Sequence, residues 1–382
     1  MLFPSSLRVQ DSSHPGEARR QVSALGRVLG FDETRIAQAA LVVTELATNL
    51  LKHTAGAGGE LILSPINEEL ASGVSGASAA RGVSGARGVS GVTGARGPSG
   101  PSGPSGANCE WGRFGLDILA LDHGPGITKL GDCLRDGYSS AGSMGTGLGA
   151  IRRQSSVFDI YSVPGQGTAV FSRIWKSTPP DLLPAFAVAA VCLPRIGEQT
   201  CGDAWAMKSE HEAVRFMLAD GLGHGPNAAA ASGLAVDIFH KNALRPVEEL
   251  LGLIHAGLRG TRGAAVAVAE VALIERVVRF AGVGNLCGLI VSGGRSRHMA
   301  SHNGTAGVEA RKIKAFTYPW PDDATLVLHS DGLGTHWSLE KYPGLVNKHP
   351  AIVAGVLFRD HQRPRDDSTV VVAKAKERRG LT

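Results

Sequence analysis

A chain of 382 residues with 43% hydrophobic residues is longer than one hydrophobic core usually holds, so two domains are expected. Its net charge of +5 is scattered except in the basic tail Lys374 to Arg379, which predicts no nucleic-acid partner. The sequence has no uninterrupted apolar run near about eighteen residues and no signal-peptide pattern at its start, so no transmembrane helix or membrane partner is expected.

Five cysteines are widely spaced, without a C-x-x-C pair: Cys109, Cys133, Cys192, Cys201 and Cys287. Their odd number and spacing favour reduced thiols over a disulfide framework. We therefore expect a cytoplasmic protein.

Two helices are predicted near the start of the chain. The first runs from about Pro15 to Leu29, and Asp32 is placed to cap a second that continues through Leu50. Intervals of four and three residues put four polar residues near one face of the second helix. They are Glu45, Asn49, Lys52 and His53. Taken alone, they are equally compatible with a solvated polar face.

Two strands follow, at Glu60 to Ile66 and Phe114 to Leu121, and an unusual segment separates them. From Gly73 to Gly106 glycine recurs at every third position except Ala79, as in collagen. The segment lies where a hairpin loop should be, and the cost of closing a loop grows slowly with its length. We therefore expect residues 71–107 to be a disordered insert, with trimerisation as the less favoured alternative.

Two glycine-rich turns come next. The second strand leads into Asp122-His-Gly-Pro-Gly126, and Gly142-Ser-Met-Gly-Thr-Gly-Leu-Gly149 precedes a predicted helix over Ala150 to Ser155. Glycines at the start of a helix leave several backbone N–H groups directed at a phosphate. The pattern therefore favours a phosphate site.

The Glu/Asn helix, the Asp-x-Gly-x-Gly turn and the Gly-x-Gly-x-Gly loop together resemble the gyrase and histidine-kinase type ATPase fold. They are most similar to its anti-sigma-factor serine kinase branch. The resemblance implies a two-layer α/β sandwich over residues 1–175 and a role for each matching residue. Asn49 would hold Mg²⁺ on ATP, Asp122 would accept from the adenine amino group, Gly124 and Gly126 would shape the adenine pocket, Gly145, Gly147 and Gly149 would wrap the phosphates, and Glu45 would act as general base toward a partner's serine. Kinase activity and nucleotide sensing alone both remain open.

The proline-containing segment 176–184 predicts a linker, and residues 185–382 a second domain rich in strands. Two helices are expected there, at Asn227 to His240 and Val247 to Leu258. The predicted strands are Ala185 to Leu193, Ala204 to Lys208, Ala213 to Leu218, Ala264 to Ile274, Val277 to Ala281, Cys287 to Val291, Thr325 to His329 and the β-branched run that ends at Val372.

Carboxylates stand at the ends of four of these strand-like segments. The motifs are Cys201-Gly-Asp203, Asp220-Gly-Leu-Gly-His-Gly225, Ser330-Asp331-Gly332 and Asp366-Asp367. A single Asp-Gly pair usually marks only a turn. A set of oxygen ligands, in contrast, suits hard divalent cations such as Mg²⁺ or Mn²⁺. The sequence therefore predicts a site for two such metal ions.

This order of motifs resembles the metal-dependent serine/threonine protein phosphatases (PPM type) of the bacterial SpoIIE kind, over about residues 185 to 375. The resemblance implies an α+β protein whose second domain is a β-sandwich with flanking helices. It also implies the ligands of two Mn²⁺ or Mg²⁺ ions, namely Asp203, Asp220, the Gly221 carbonyl, Asp331 and Asp366, with Asp367 orienting them. His224 is a candidate proton donor and Asn285 is expected to have a structural role.

Together, the two resemblances imply a phosphoserine/phosphothreonine protein phosphatase with an ATP-binding, kinase-like domain. The expected partners are a phosphorylated anti-sigma-factor antagonist or a stress-signalling scaffold protein, and possibly a sigma factor. The alternative is a nucleotide-gated binding switch that sequesters a sigma factor or its antagonist without catalysis. A secreted collagen-like adhesin is disfavoured by the missing signal peptide.

Overall fold

A computed structural model describes residues 4–67, 72–74, 114–134, 147–177, 186–210, 213–310 and 312–375. We call residues 4–177 the N-terminal domain and residues 186–375 the C-terminal domain. No helix in these described ranges has the length and apolar character needed to span a membrane.

The N-terminal domain contains one five-stranded antiparallel sheet in the order β1-β2-β4-β6-β5. Its strands are β1 (Ser5–Val9), β2 (Gly59–Asn67), β4 (Phe114–Leu121), β5 (Val157–Ser162) and β6 (Thr168–Trp175). Alternating buried residues such as Leu61 and Ile118 give the sheet an apolar face toward the helices.

Helices cover that face and complete a two-layer α/β sandwich. They are α1 (His14–Val28), α2 (Glu33–Lys52), the one-turn α3 (Leu130–Cys133) and α4 (Gly147–Gln154). The Asp32 side chain accepts a hydrogen bond from Arg35 N at 2.7 Å, as an N-cap does. Helix α4 begins three residues before the predicted start, because the first N–H groups of a helix need no intrahelical partner and glycines are acceptable there.

Two further sheets stack to form the C-terminal domain, and residues 72–74 of the N-terminal part of the chain contribute one strand to them. Sheet B has the order β14-β11-β10-β9-β8-β3, and sheet C the order β13-β12-β15-β16-β7. The strands are β3 (Ser72–Val74), β7 (Phe186–Leu193), β8 (Asp203–Ser209), β9 (Ala213–Gly221), β10 (Ala264–Ala272), β11 (Val277–Val283), β12 (Cys287–Ser292), β13 (Arg295–Met299), β14 (Phe316–Pro319), β15 (Thr325–His329) and β16 (Ser368–Ala375). Phe186, Phe216 and Phe280 lie in the core between the sheets. The β-sandwich is therefore present, with β13 and β14 beyond the predicted strands.

Three helices flank this sandwich, whereas the sequence predicted two. Helices α5 (Pro226–Asn242) and α6 (Val247–Gly257) pack on the outer face of sheet B. Helix α7 (Pro350–His361) was not predicted, and it packs on β7 and β16 of sheet C. The two predicted helices are therefore confirmed, and α7 is an additional helix within the described residues.

The start of the glycine-repeat insert also departs from prediction. Ser72–Val74 forms β3 and pairs antiparallel with β8. Strand β8 would otherwise lie at the edge of sheet B, where its backbone groups are available for pairing. The prediction of disorder for residues 75–107 concerns residues outside the described ranges.

Helix α7 also contacts the N-terminal domain. Ile62, Leu119 and Phe171, on the sheet face opposite α1 and α2, share one hydrophobic cluster with Ile352 and Val356 of α7. The His349 N–H donates to Asp159 Oδ2 across the same boundary at 2.7 Å. The layers therefore run helices, sheet, α7, sheet C, sheet B, helices.

Candidate active site

The β8–β9 hairpin brings together the first two predicted carboxylates. Asp203 begins β8, Asp220 lies next to the end of β9, and the register pairs them directly across the two strands. Like charges at directly opposed positions destabilise a sheet, so this pairing requires a proton or a cation between them.

Two more predicted ligands reach the same place from sheet C. Asp331 follows β15 and Asp366 precedes β16, and these strands are antiparallel neighbours in which His329 pairs with Val370. The Asp331 side chain is close enough to both Asp220 and Asp366 to raise the pKa of each. The four carboxylates that the sequence singled out therefore meet at one end of the sandwich.

Burial and mutual repulsion raise the pKa values of Asp203, Asp220 and Asp366. Burial, together with the charges of Asp367 and Asp331, raises the pKa of Asp203 to about 7. Burial and the charges of Asp203, Asp331 and Asp366 raise the pKa of Asp220 to about 10. Burial and the Asp331 charge also raise the pKa of Asp366. The neighbouring charges that raise the pKa values of Asp203 and Asp220 are those of other carboxylates.

Two neutral side chains hold individual carboxylates in place. Ser330 Oγ donates to Asp203 Oδ2 at 2.7 Å and accepts from Thr369 N at 3.0 Å. Asn285 Nδ2 donates to Asp331 Oδ2 at 2.6 Å. Sequence reasoning did not give Ser330 a role, although its position directly before Asp331 was a usable signal. It treated Asn285 as structural without identifying a partner.

Asp367 supports the loop that carries Asp203. Its carboxylate is buried and accepts from Arg195 N and Gly202 N, each at 2.9 Å. A Cβ atom at Gly202 would lie 2.7 Å from Asp367 Oδ2, so only glycine fits there. Both oxygens of Asp367 are thus used by the protein, in keeping with the orienting role implied for it.

The turn after β9 is equally crowded. A Cβ atom at Gly221 would lie 2.1 Å from the carbonyl oxygen of Ala228 in α5. The next residues lead to His224, whose Nδ1 lies 3.1 Å from Glu198 Oε1. Close packing of the strand end on α5 therefore fixes the position of the Gly221 carbonyl, the one backbone ligand predicted.

The donor set fits hard divalent cations in its chemistry, because every predicted ligand atom is an oxygen. Within the described residues, no three His, Cys, Asp or Glu side chains are already placed to hold one ion. Burial and the charges of neighbouring carboxylates raise the pKa of Asp220 to about 10. Metal binding through Asp220 near neutral pH therefore requires this carboxyl group to lose its proton.

The buried thiols near this site take no part in it. Cys192 Sγ and Cys201 Sγ lie 3.8 Å apart, and burial together with Cys192 raises the pKa of the Cys201 thiol. None of the four cysteines in the described ranges forms a disulfide, and Cys109 lies outside them.

In the N-terminal domain, the predicted helix and the glycine loop come together. A Cβ atom at Gly147, the first residue of α4, would lie 3.7 Å from Asn49 Oδ1 and 3.8 Å from Glu45 Oε2. Glu45 and Asn49 are one turn apart on α2 and face the N-terminus of α4. Gly149 is buried within the first turn of α4, and Gly145 lies outside the described residues.

The Asp122 turn lies at the C-terminal end of α2. Asp122 Oδ1 accepts from Gly124 N at 2.7 Å and from Thr168 N at 3.2 Å, and burial raises the pKa of this carboxyl group. A Cβ atom at Gly124 would lie 3.1 Å from His53 O. Gly126 has φ +71° and leaves no room for a Cβ atom beside Val163 O. The predicted residues of this site that are described therefore all lie around the C-terminal half of α2.

Comparison with known proteins bears on both domains. Residues 210–376 match the family described as Stage II sporulation protein E (SpoIIE). The phosphoserine phosphatase RsbX of Bacillus subtilis is 26% identical over 142 residues, which cover 37% of this chain and 71% of RsbX. The serine/threonine-protein kinase RsbT of the same organism is 39% identical over 64 residues, which cover 17% of this chain and 48% of RsbT.

A crystal structure of RsbX in complex with magnesium is 22% identical, with a TM-score of 0.45, and covers 50% of this chain and 96% of that one. The family match includes β9, β15 and β16, which lead to Asp220, Asp331 and Asp366. The family match and the similarity to RsbX confirm the predicted resemblance to serine/threonine phosphatases for this part of the chain. Residues 210–376, less than half of the chain, are thus similar to the SpoIIE family.

Proposed function

We propose that this protein is a metal-dependent phosphoserine/phosphothreonine protein phosphatase whose N-terminal domain binds ATP. The observation that carries the phosphatase proposal is the pairing of Asp203 with Asp220 across one hairpin, beside Asp331 and Asp366. Four carboxyl groups held this closely serve no purpose in packing, and their chemistry is that of a cation site.

Asp203, Asp220, Asp331, Asp366 and the Gly221 carbonyl would hold Mn²⁺ or Mg²⁺. When bound, such ions supply an activated water as nucleophile and neutralise charge on the phosphoryl oxygens. The chain's own contribution is to fix the carboxylates in place through Ser330, Asn285 and Asp367. No cysteine nucleophile is required.

The proposed substrate is a phosphorylated serine or threonine on a regulatory protein. The support is the similarity to RsbX, which is named a phosphoserine phosphatase, and the presence in the same chain of a segment similar to the kinase RsbT. We infer that the partner is an anti-sigma-factor antagonist or a stress-signalling scaffold protein, because both the phosphatase-like and the kinase-like resemblance imply a substrate of this kind.

The N-terminal proposal is supported by the meeting of Glu45, Asn49 and Gly147. Asn49 would hold Mg²⁺ on ATP, the N-terminus of α4 would face its phosphates, and Asp122 would accept from the adenine amino group. Glu45 lies where a general base for phosphoryl transfer to a partner's serine would be needed.

The phosphatase is tested by hydrolysis of p-nitrophenyl phosphate and of a phosphoserine peptide with Mn²⁺ or Mg²⁺. We expect metal-dependent turnover that falls by about a thousandfold or more in Asp220→Asn, because a ligand of the reacting centre is lost. Asp237→Asn, an exposed position on α5, is the matched control and should retain full activity. Folded wild-type protein without turnover under any metal would instead favour the non-catalytic binding switch.

Nucleotide binding is tested with a fluorescent ATP analogue and Mg²⁺. Asn49→Ala and Asp122→Ala should each weaken binding by about tenfold or more, since each removes a polar contact to the ligand. Gln38→Ala, earlier on α2, should leave the affinity unchanged. Equal affinities of all four proteins would contradict the assigned site.

A further inference from the structure

Helix α7 belongs in sequence to the phosphatase domain, but it lies in one hydrophobic cluster with residues of the N-terminal sheet. All residues from Pro350 to Arg359 are buried. One side of the helix contacts β7 and β16, and the other contacts β4, β5 and β6 of the N-terminal sheet. A Cβ atom at Gly355 would lie 2.7 Å from Leu119 Cδ2, so glycine allows the close approach.

The C-terminal end of α7 holds the turn that carries Asp122. Arg359 Nη1 donates to the Asp122 carbonyl oxygen at 2.9 Å. Its Nε and Nη2 atoms donate to the Asp360 carboxylate at 2.6 and 2.9 Å. Asp360 Oδ1 in turn lies 3.2 Å from His123 Nε2. A buried arginine of the phosphatase domain therefore positions the backbone of the candidate adenine turn.

The residues directly after α7 hold the metal-binding turn. Arg363 N donates to Gly332 O at 2.7 Å, and Arg363 Nη1 donates to Asp331 O at 3.0 Å. Gly334 N donates to His361 O at 2.8 Å, and Asp366 N donates to Arg363 O at 3.1 Å. One short segment, from Arg359 to Asp366, thus bonds to both candidate sites.

We propose that Arg359 is a positioning residue of the nucleotide site, supplied by the phosphatase domain, and that α7 couples nucleotide occupancy to the metal-binding turn at Asp331 and Asp366. The inference rests on the proposed function, since it requires ATP to bind beside Asp122. It adds that the bound nucleotide regulates the phosphatase, and it names the residues that transmit the effect of the nucleotide to the metal-binding turn.

The physical basis is the rigidity of the contacts. The guanidinium of Arg359 is planar and bonds to both the Asp122 carbonyl and the Asp360 carboxylate. If the Asp122 turn shifts, Arg359 can keep its bond to Asp122 only by changing its geometry with Asp360. A closely packed helix moves as a unit, and its movement is passed to Arg363 and the Asp331 turn. By thermodynamic reciprocity, a nucleotide that alters metal affinity is itself bound with an affinity that metal alters by the same factor.

The test uses the full chain, with a non-hydrolysable ATP analogue and Mg²⁺ as the probe and free metal concentrations held constant. In the wild type, saturating analogue should change kcat/KM for p-nitrophenyl phosphate, and the Kd for Mn²⁺ measured by calorimetry, by about fivefold or more. In Arg359→Ala, analogue binding should weaken by about tenfold and its effect on either quantity should fall below about twofold.

Two variants separate positioning from general stability. Arg359→Lys keeps a donor for the Asp122 carbonyl and should restore analogue affinity to within about threefold of the wild type. His123→Ala removes the contact with Asp360 from an exposed side chain and is the second test if Arg359→Ala does not fold. It should reduce the analogue's effect by at least about twofold. Arg245→Ala, which breaks an exposed ion pair with Glu249, is the matched control.

The outcomes distinguish this inference from the proposed function. Phosphatase activity and analogue binding without mutual influence would overturn the coupling and leave both activities in place. If the wild type lacks turnover, the Kd for Mn²⁺ with and without analogue still decides the coupling. If the wild type does not bind the analogue, both the coupling and the ATP site fail, and the phosphatase stands.

Discussion

At the residue scale, the phosphatase site depends on neutral donors as much as on its carboxylates. Asn285 donates to Asp331 at 2.6 Å, and Ser330 donates to Asp203 at 2.7 Å. Each donor restricts an acidic side chain that repulsion from its neighbours would otherwise displace. Residues that do not themselves bind a metal ion therefore determine the positions of the residues that would bind it.

Removal of the Asn285 amide tests this dependence. Asn285→Ala should weaken Mn²⁺ binding by about tenfold, because residues that orient metal ligands typically contribute this much to affinity. Titration calorimetry with Mn²⁺ measures the effect, and Asn347→Ala, at an exposed asparagine, is the control. A Kd within about twofold of the wild type would show that Asp331 needs no support from Asn285.

Asp220 gives a prediction about stability in the absence of metal. Its pKa is raised from 3.8 to about 10 in the folded state by burial and by Asp203, Asp331 and Asp366. The folded protein therefore binds more protons than the unfolded chain between these two pH values, and its unfolding free energy falls as pH rises through that window. The acidic cluster thus lowers the stability of the metal-free protein at neutral and alkaline pH.

Asp220→Asn should accordingly stabilise the metal-free protein at pH 8 by roughly 1 to 3 kcal/mol while abolishing activity. Urea denaturation in the presence of a chelator, at pH 6 and pH 8, measures this, with a larger gain expected at pH 8. Added Mn²⁺ should stabilise the wild type more than the variant. A variant less stable than the wild type at pH 8 would contradict the assignment of repulsion at this position.

The site residues that could be predicted from the sequence are those with both a suitable side chain and a recognisable local structure. Asp203, Asp220, Asp331 and Asp366 stand beside glycines or other turn residues at strand ends, and those strands meet at one edge. The sequence did not predict the supporting contacts. Asn285 reaches Asp331 across 46 residues, a distance over which a single sequence holds no pattern.

At the element scale, helix α7 was not predicted from the sequence, and its surroundings explain why. The segment Pro350–His361 is buried along nearly its whole length because a sheet lies on each side of it. A helix that is apolar all round lacks the 3.6-residue periodicity by which helices are recognised. Helix α2 could be predicted for the opposite reason, since it keeps an exposed stripe that includes Glu33, Ala37 and Leu41 and has an Asp32 cap.

Gly355 is a point of close approach between α7 and the N-terminal sheet. Gly355→Ala should lower the unfolding free energy by about 1 kcal/mol, because overpacking against Leu119 and Leu121 exceeds the gain in helix propensity. Gly252→Ala in α6 is the matched control. Its Cβ would meet no atom within 4 Å, so we expect stabilisation of about 0.5 to 1 kcal/mol. Equal stabilisation of both variants in urea denaturation would show that α7 and the sheet are loosely packed.

At the scale of the whole molecule, the shared core predicts cooperative unfolding. Leu119 and Phe171 of the N-terminal sheet lie in the same cluster as Val191 and Val372 of sheet C, with α7 between them. Neither part can unfold without exposing apolar surface of the other. A single calorimetric transition is therefore expected for the full chain, whereas two well-separated transitions would indicate independent domains.

The position of α7 also bears on how such a protein can arise by recombination. Chains built from independent modules exchange them at linkers, and here the linker would be the segment after Trp175. A crossover there would separate the N-terminal sheet from the helix that covers it, leaving Ile62, Leu119 and Phe171 facing water. New pairings of these two domains by gene fusion are therefore viable only if the incoming phosphatase carries a helix of matching shape. The N-terminal domain and the phosphatase domain are therefore expected to be inherited together.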